Sequence, residues 1–243
     1  MLHRRRALSV PATLVALLGG LLAPLLTASA ADASATSVSG RDGVLYEGCH
    51  EYKYGYSIDT SGSYYTWDAE AIFRGPDGRK VTTDYLNPGA DEVSGSSTAL
   101  LCGGIDPVGR YELTLNVTFY DENYDETGTK SAVDRFRLRK PHTRTSFTVD
   151  DRTPRWHQIL IFQVRSMIEG PKGYVPNRWE YVALETKRPD GWERIRGSKE
   201  RVGRRGVTKM KGRWERRRPL AVRAVTLPGR AYDGSASRAK TLG

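Results

Sequence analysis

In GRYELTLNVTFYD, residues 109–121, polar and apolar residues alternate, so that Tyr111, Leu113, Leu115, Val117 and Phe119 fall on one face of an extended chain. A period of two predicts a strand with that face in a core. AEAIFRGPDGRKVTT, residues 69–83, predicts a hairpin: Pro76 presets a turn, Asp77 and Gly78 tolerate positive φ, and strand-forming runs lie on either side. WEYVALETKRPDGWERI, residues 179–195, repeats the device, with Val182 and Leu184 on one face and a turn at Pro189, Asp190 and Gly191. Short runs rich in Val, Tyr, Thr, Ile and Trp recur between Gly, Pro, Asn and Asp, and no helical period appears beyond the first 30 residues. The pattern predicts an all-β fold.

The first 30 residues read differently. Arg4, Arg5 and Arg6 precede an apolar stretch, 11–30, that closes on Ala28, Ser29 and Ala30, which predicts a cleaved secretory signal peptide over 1–30. Gly19, Gly20 and Pro24 interrupt the stretch and argue against a membrane anchor. No later stretch reaches the roughly 18 apolar residues that a spanning helix needs. The expected mature chain, 31–243, is therefore secreted, without a transmembrane segment, and extracellular or associated with the cell wall.

Charge divides that chain. Residues 31–140 hold 11 Lys and Arg against 18 Asp and Glu; residues 141–243 hold 24 against 10. With a change of sign at Lys140 and Pro141, the sequence predicts an acidic domain over 31–140, a basic domain over 141–243 and an exposed linker between them. The two cysteines, Cys49 and Cys102, both lie in the acidic half, and in a secreted chain they predict one disulfide.

Cys49, Trp67 and DPVGRYEL, residues 106–113, resemble the landmarks of an immunoglobulin-type sandwich, with Tyr111 as a tyrosine corner. Leu113 stands where that pattern has its second cysteine, and Cys102 precedes the strand, so the bridge departs from the usual bond between the two sheets. The second half is similar to bacterial Ig-like modules of secreted and surface proteins in high-GC Gram-positive bacteria, through residues 173–195 and 221–242. The resemblance implies two Ig-like β-sandwich domains in tandem and no reaction.

The stretch 194–218 carries twelve Lys and Arg. In GVTKMKGRWERR, residues 206–217, Lys209, Lys211 and Arg213 alternate with Thr208, Met210, Gly212 and Trp214, predicting a strand with its cations outward. Arg204, Arg205, Arg216, Arg217 and Arg218 fall in the turns at its two ends. Two readings stay open: a solvated face whose charges protect a sheet edge, or a surface for extracellular polyanions such as wall polymers. Sequence-specific nucleic-acid binding is not expected, since no zinc-finger, helix-turn-helix or RNP pattern is present.

Catalytic and cofactor fingerprints are absent from the sequence, and His50, His142 and His157 have no metal-ligand spacing. The expected function is a non-catalytic binding or structural module of the cell envelope. The alternative is a polysaccharide-active hydrolase or transferase using acids such as Asp91 and Glu92. Two further patterns are ambiguous. Asp121, Asn123, Asp125 and Thr127 are spaced like early calcium-loop ligands, but Glu126 and Ala132 break that pattern and favour a polar hairpin tip. Tyr52, Tyr54 and Tyr56 share a strand face that suits either a core or a sugar platform, and Cys49 falls on the opposite parity.

Overall fold

The computed structural model describes residues 35–243. The leader, 1–30, lies outside the described residues. Among the described residues there are eighteen strands and no helix, arranged as two β-sandwiches with separate cores.

In the N-terminal sandwich one sheet has the order β1 (Ser37–Ser39), β3 (Gly48–Ser57), β6 (Ser94–Gly103). The facing sheet has the order β2 (Gly43–Val44), β8 (Glu126–Arg139), β7 (Gly109–Tyr120), β4 (Thr66–Arg74), β5 (Lys80–Leu86). The alternation in β7 does what its period requires: Tyr111, Leu113, Leu115 and Val117 are fully buried, and Phe119 nearly so. Trp67 and Phe73 of β4 join them. The hairpin from β4 to β5 turns through Gly75–Gly78, and there the positive φ falls on Gly78 alone, at 76°.

Tyr111 forms the corner that its sequence context implies. Its hydroxyl donates to the Pro107 carbonyl at 2.7 Å, pinning the start of β7 to the preceding turn. Burial, and then Asp106, hold the phenol protonated far above the usual tyrosine range. Tyr111→Phe keeps the ring and removes the bond. Because Pro107 is exposed and its carbonyl can turn to water, the expected loss is about 1 kcal/mol, read as a lower denaturant midpoint at unchanged slope.

The tyrosine face of β3 belongs to the core. Tyr54 and Tyr56 are buried, Tyr52 stacks on Phe136 with centroids 5.1 Å apart, and the Tyr54 hydroxyl donates to Asp84 at 2.7 Å. Rings packed in this way are not open to a sugar, so the platform reading is set aside. Cys49, on the other parity, faces outward. It lies directly opposite Cys102 in the β3–β6 register, and the two form the disulfide across neighbouring strands of one sheet, on its solvent side. The parity conflict in the sequence thus needs no bulge.

The polar tip between β7 and β8 is a tight turn in which Asp121 Oδ1 accepts the amides of Asn123 and Asp125. That carboxylate oxygen is occupied by the turn, in keeping with a hairpin tip.

The C-terminal sandwich pairs β10 (Ile159–Gly170) with β9 (Thr143–Val149) along one edge, and with β15 (Val207–Arg213) and β11 (Gly173–Pro176) along the other. The opposing sheet centres on β12 (Tyr181–Arg188) and β16 (Leu220–Thr226). β13 (Gly191–Arg194) and β14 (Glu200–Arg201) pair with β12, and β17 (Ser235–Ala236) and β18 (Lys240–Leu242) pair with β16. Phe147, Leu160, Phe162, Val164, Met210 and Trp214 meet Val182, Leu184, Val222, Ala224 and Leu242 between them.

Three residues join β8 to β9, and they are tied down rather than exposed as a linker would be. Pro141 is buried. The Arg139 guanidinium donates to both carboxylate oxygens of Glu169, at 2.8 and 2.9 Å, and the His142 amide donates to the same group at 3.0 Å. Lys140 Nζ reaches the Gly229 carbonyl at 3.4 Å. A paired guanidinium and an amide donor favour the carboxylate over the acid, and Arg139, followed by the His142 amide, holds Glu169 down at about 2. The unfolded chain therefore binds a proton here before the folded one does. The contribution of Glu169 is complete at neutral pH and is lost as the pH falls from about 4.5 towards 2. Glu169→Gln should lower stability by at most about 1 kcal/mol at pH 7, as a partly exposed pair allows. That difference should vanish in melts at pH 2.

Candidate polyanion-binding face

Outward positions in adjacent antiparallel strands stand side by side, so the register of β9, β10 and β15 fixes what the outer face of this sheet presents. Lys209, Lys211 and Arg213 are exposed on β15, opposite Gln163, Ile161 and Ile159 of β10. Two positions further along β10 stands Arg165, exposed opposite Ser146 of β9; Arg144, one outward step beyond Ser146 on β9, lies opposite Met167. Between Ile159 and Met167 the outward positions of the three strands hold five cations and no carboxylate. Asp150, just past β9, spends its Oδ1 on the amides of Asp151 and Ile161.

None of the five cations forms an ion pair among the described residues. Arg144 instead lies over the Tyr174 ring, 3.9 Å from its centroid, which fixes the guanidinium on the surface. Among the described strands β15 pairs only with β10, so Lys209, Lys211 and Arg213 also line a free edge. A face built in this way has the dimensions of a short polymer groove: strand spacing near 4.8 Å makes it about 10 Å across three strands, and the seven residues of β15 make it about 20 Å long.

The other candidate cations, Arg204, Arg205, Arg216, Arg217 and Arg218, flank this face. Arg204 and Arg205 are exposed in the turn before β15, where the Gly203 amide donates to the Val207 carbonyl and the Gly206 amide to the Gly203 carbonyl. Gly206 is required there: its φ is 68°, and a Cβ would strike the Ser166 carbonyl and Pro176. Arg216, Arg217 and Arg218 are exposed at the far end, past the buried Trp214, with the Arg217 guanidinium 5.3 Å over the Trp156 ring. The eight candidate cations, out of the twelve in the run, thus form a line about as long as the strand and its two turns. Arg144 and Arg165 give that line breadth. Sequence reasoning missed both. The parity of Arg165 in ILIFQVRSM was readable as an outward position, but its neighbourhood with Lys209 depends on a pairing between strands some 45 residues apart.

No protein-family model matches this chain, and the search of curated proteins finds no match. Among solved structures it is similar to the D0-D1 domain of intimin, with a TM-score of 0.31, 14% identity and coverage of 86% of this chain and 97% of that one. It is also similar to murine CEACAM1b, with a TM-score of 0.33, 11% identity and coverage of 86% and 98%. A third is the fibronectin(III)-like modules of Clostridium thermocellum CbhA, with a TM-score of 0.29, 10% identity and coverage of 84% and 90%. At this level of likeness none of them assigns a ligand or a reaction to this chain.

Proposed function

We propose that this chain is a secreted, non-catalytic binding module of the cell envelope, built as two domains over 31–140 and 141–243, and that the second holds an anionic envelope polymer. The observation that carries the reading is the outer face of β9, β10 and β15, where five cations converge and the one neighbouring carboxylate, Asp150, has an oxygen engaged by backbone amides. A strand edge needs only one or two charges to discourage pairing. Edge protection does not call for Arg165 on β10, the central strand of that sheet.

The Cys49–Cys102 disulfide supports an oxidising compartment, since such bonds persist outside the cytosol. The first 30 residues, read as a leader, agree with that compartment. Polymers with phosphate or carboxylate on every repeat are the anions of that environment whose charge density a flat cationic sheet fits. An adhesive surface of this kind works by counterion release and needs no bond-breaking group.

The test uses the mature protein with polyglycerol phosphate and with a neutral glucan, each at 50 mM salt. Binding to the first and not the second is expected. Binding to neither, or turnover of either polymer, overturns the reading.

A further inference from the structure

The C-terminal sandwich is open along one side. β15 ends one sheet, β13 and β14 end the other, and between them lies a cleft of about 620 Å³, within the range of small-molecule sites. Its walls are apolar where they meet the core: Phe162, Leu184, Met210, Trp214 and Val222 all line it.

The inward positions of β12 grade towards the opening. Val182 and Leu184 are deep, Thr186 follows, and Arg188 is half-exposed beside the turn into β13. Thr186 stands opposite Val222 of β16 and is 5% exposed. Its Oγ1 is buried and has no hydrogen-bond partner among the described residues. A hydroxyl in that position costs the unliganded fold stability, because water no longer serves it and no protein group has taken over.

On the opposing wall Gly212, paired with Leu160, keeps space open. A Cβ there would meet only Phe162 Cε2, at an ordinary 3.5 Å, so a longer side chain would extend into the cleft. Seven Lys and Arg and three Glu are among the lining residues. Arg188 is matched by Glu193, its Nε donating at 2.8 Å, whereas Arg194, Arg196 and Arg216 form no ion pair among the described residues.

We propose that this cleft binds a single-chain amphiphile with a carboxylate head, its alkyl chain lying against Leu184, Met210, Trp214 and Val222 and its head at the arginine mouth, where rotation of the Thr186 side chain about χ1 would present its buried hydroxyl. An apolar floor answers the chain, a cationic rim answers the head, and an unsatisfied hydroxyl lies where one gives way to the other. A neutral apolar guest would leave the arginines and the hydroxyl unanswered. A hydrophilic polymer would leave the floor unanswered. The cleft borders the outer face: Lys209, Lys211 and Arg213 stand on its rim as well as on that face, while Gly212, between them, faces inward.

The test titrates the mature protein with dodecanoate below its micellar limit and with dodecanol below its solubility limit, by calorimetry and by melting temperature. Dodecanoate should bind about tenfold more tightly than dodecanol, the difference a charge-assisted contact makes, and should raise the melting temperature. Gly212→Leu should weaken dodecanoate by at least about tenfold, since its side chain occupies the same space. Polyglycerol phosphate binding by that variant should stay as in the wild type, which separates the cleft from the polymer-binding face. Thr186→Val should raise the melting temperature of the unliganded protein and weaken dodecanoate severalfold. Absence of dodecanoate binding overturns the proposal, as do equal binding of acid and alcohol and unchanged affinity in Gly212→Leu. If that glycine variant does not fold, Thr186→Val decides: unchanged dodecanoate affinity with a lowered melting temperature places the hydroxyl in the fold alone and sinks the site.

Discussion

Replacing Cys49 and Cys102 together by serine is expected to lower stability by about 4 kcal/mol, roughly a thousandfold in the folding equilibrium. The bridge spans 53 residues, and in the chain-entropy model a closed loop of that length removes about this much freedom from the unfolded chain. Its position makes the expectation unusually clean. Both sulfurs lie on the solvent side of the β3–β6 pair rather than among Tyr54, Tyr56 and Leu101. Serine therefore leaves no hole in the core and strands no buried partner, and chain entropy is nearly all that changes. Denaturant melts of wild type and variant, both without reductant, should show the midpoint falling and the slope steepening, as the unfolded chain opens further. A loss below about 1 kcal/mol would mean that the ten-residue pairing of β3 with β6 already restricts the unfolded chain.

The second large effect is on polymer binding. With double-stranded DNA as a surrogate polyanion, each phosphate neutralised contributes about −0.9 to the slope of log K against log salt. Five engaged cations give a slope near −4.5, so affinity should fall roughly 500-fold between 50 and 200 mM salt. Lys209→Glu, Lys211→Glu and Arg213→Glu combined should reduce the slope to about −1.8, the share of the two remaining arginines. The fold should survive, because these side chains stand on the opposite face from Met210 and Trp214. A variant whose melting temperature is unchanged and whose slope equals that of the wild type would exclude the three β15 cations from any contact.

What could be read from the sequence is what depends on neighbours a few residues apart. The period of two in β7 placed Tyr111 to Phe119 in the core, and the alternation of Lys209 to Trp214 told the outer side of β15 from the inner. Tyr111 and its Asp-Pro-x-Gly context implied a corner, and the bond to Pro107 is there. Features that depend on which strand lies beside which were not readable. The sequence left the side of Cys49 undecided against Tyr52, Tyr54 and Tyr56, because only the register opposite Cys102 shows that a bridge can lie on the outside of a sheet. It presented the join at Lys140 and Pro141 as a linker, because the partner of Arg139 is Glu169, thirty residues away across a strand pair. Arg144 and Arg165 were invisible as part of a site for the same reason. The cleft was hidden more deeply still, since its existence depends on how far β15 stands from β13.

The same contrast supplies the most direct test. In the sequence, Arg216, Arg217 and Arg218 belong to the basic run while Arg144 and Arg165 do not; in the fold, Arg144 and Arg165 stand on the face with Lys209, Lys211 and Arg213, while the other three lie beyond its end. The decisive measurement is the salt slope of DNA binding for wild type, for Arg144→Ser with Arg165→Ser, and for Arg216→Ser with Arg217→Ser and Arg218→Ser. Removing the pair should flatten the slope by about 1.8, and removing the triplet should change it by less. An unchanged slope in the pair variant, with the full loss in the triplet, would contradict a binding face built across β9, β10 and β15.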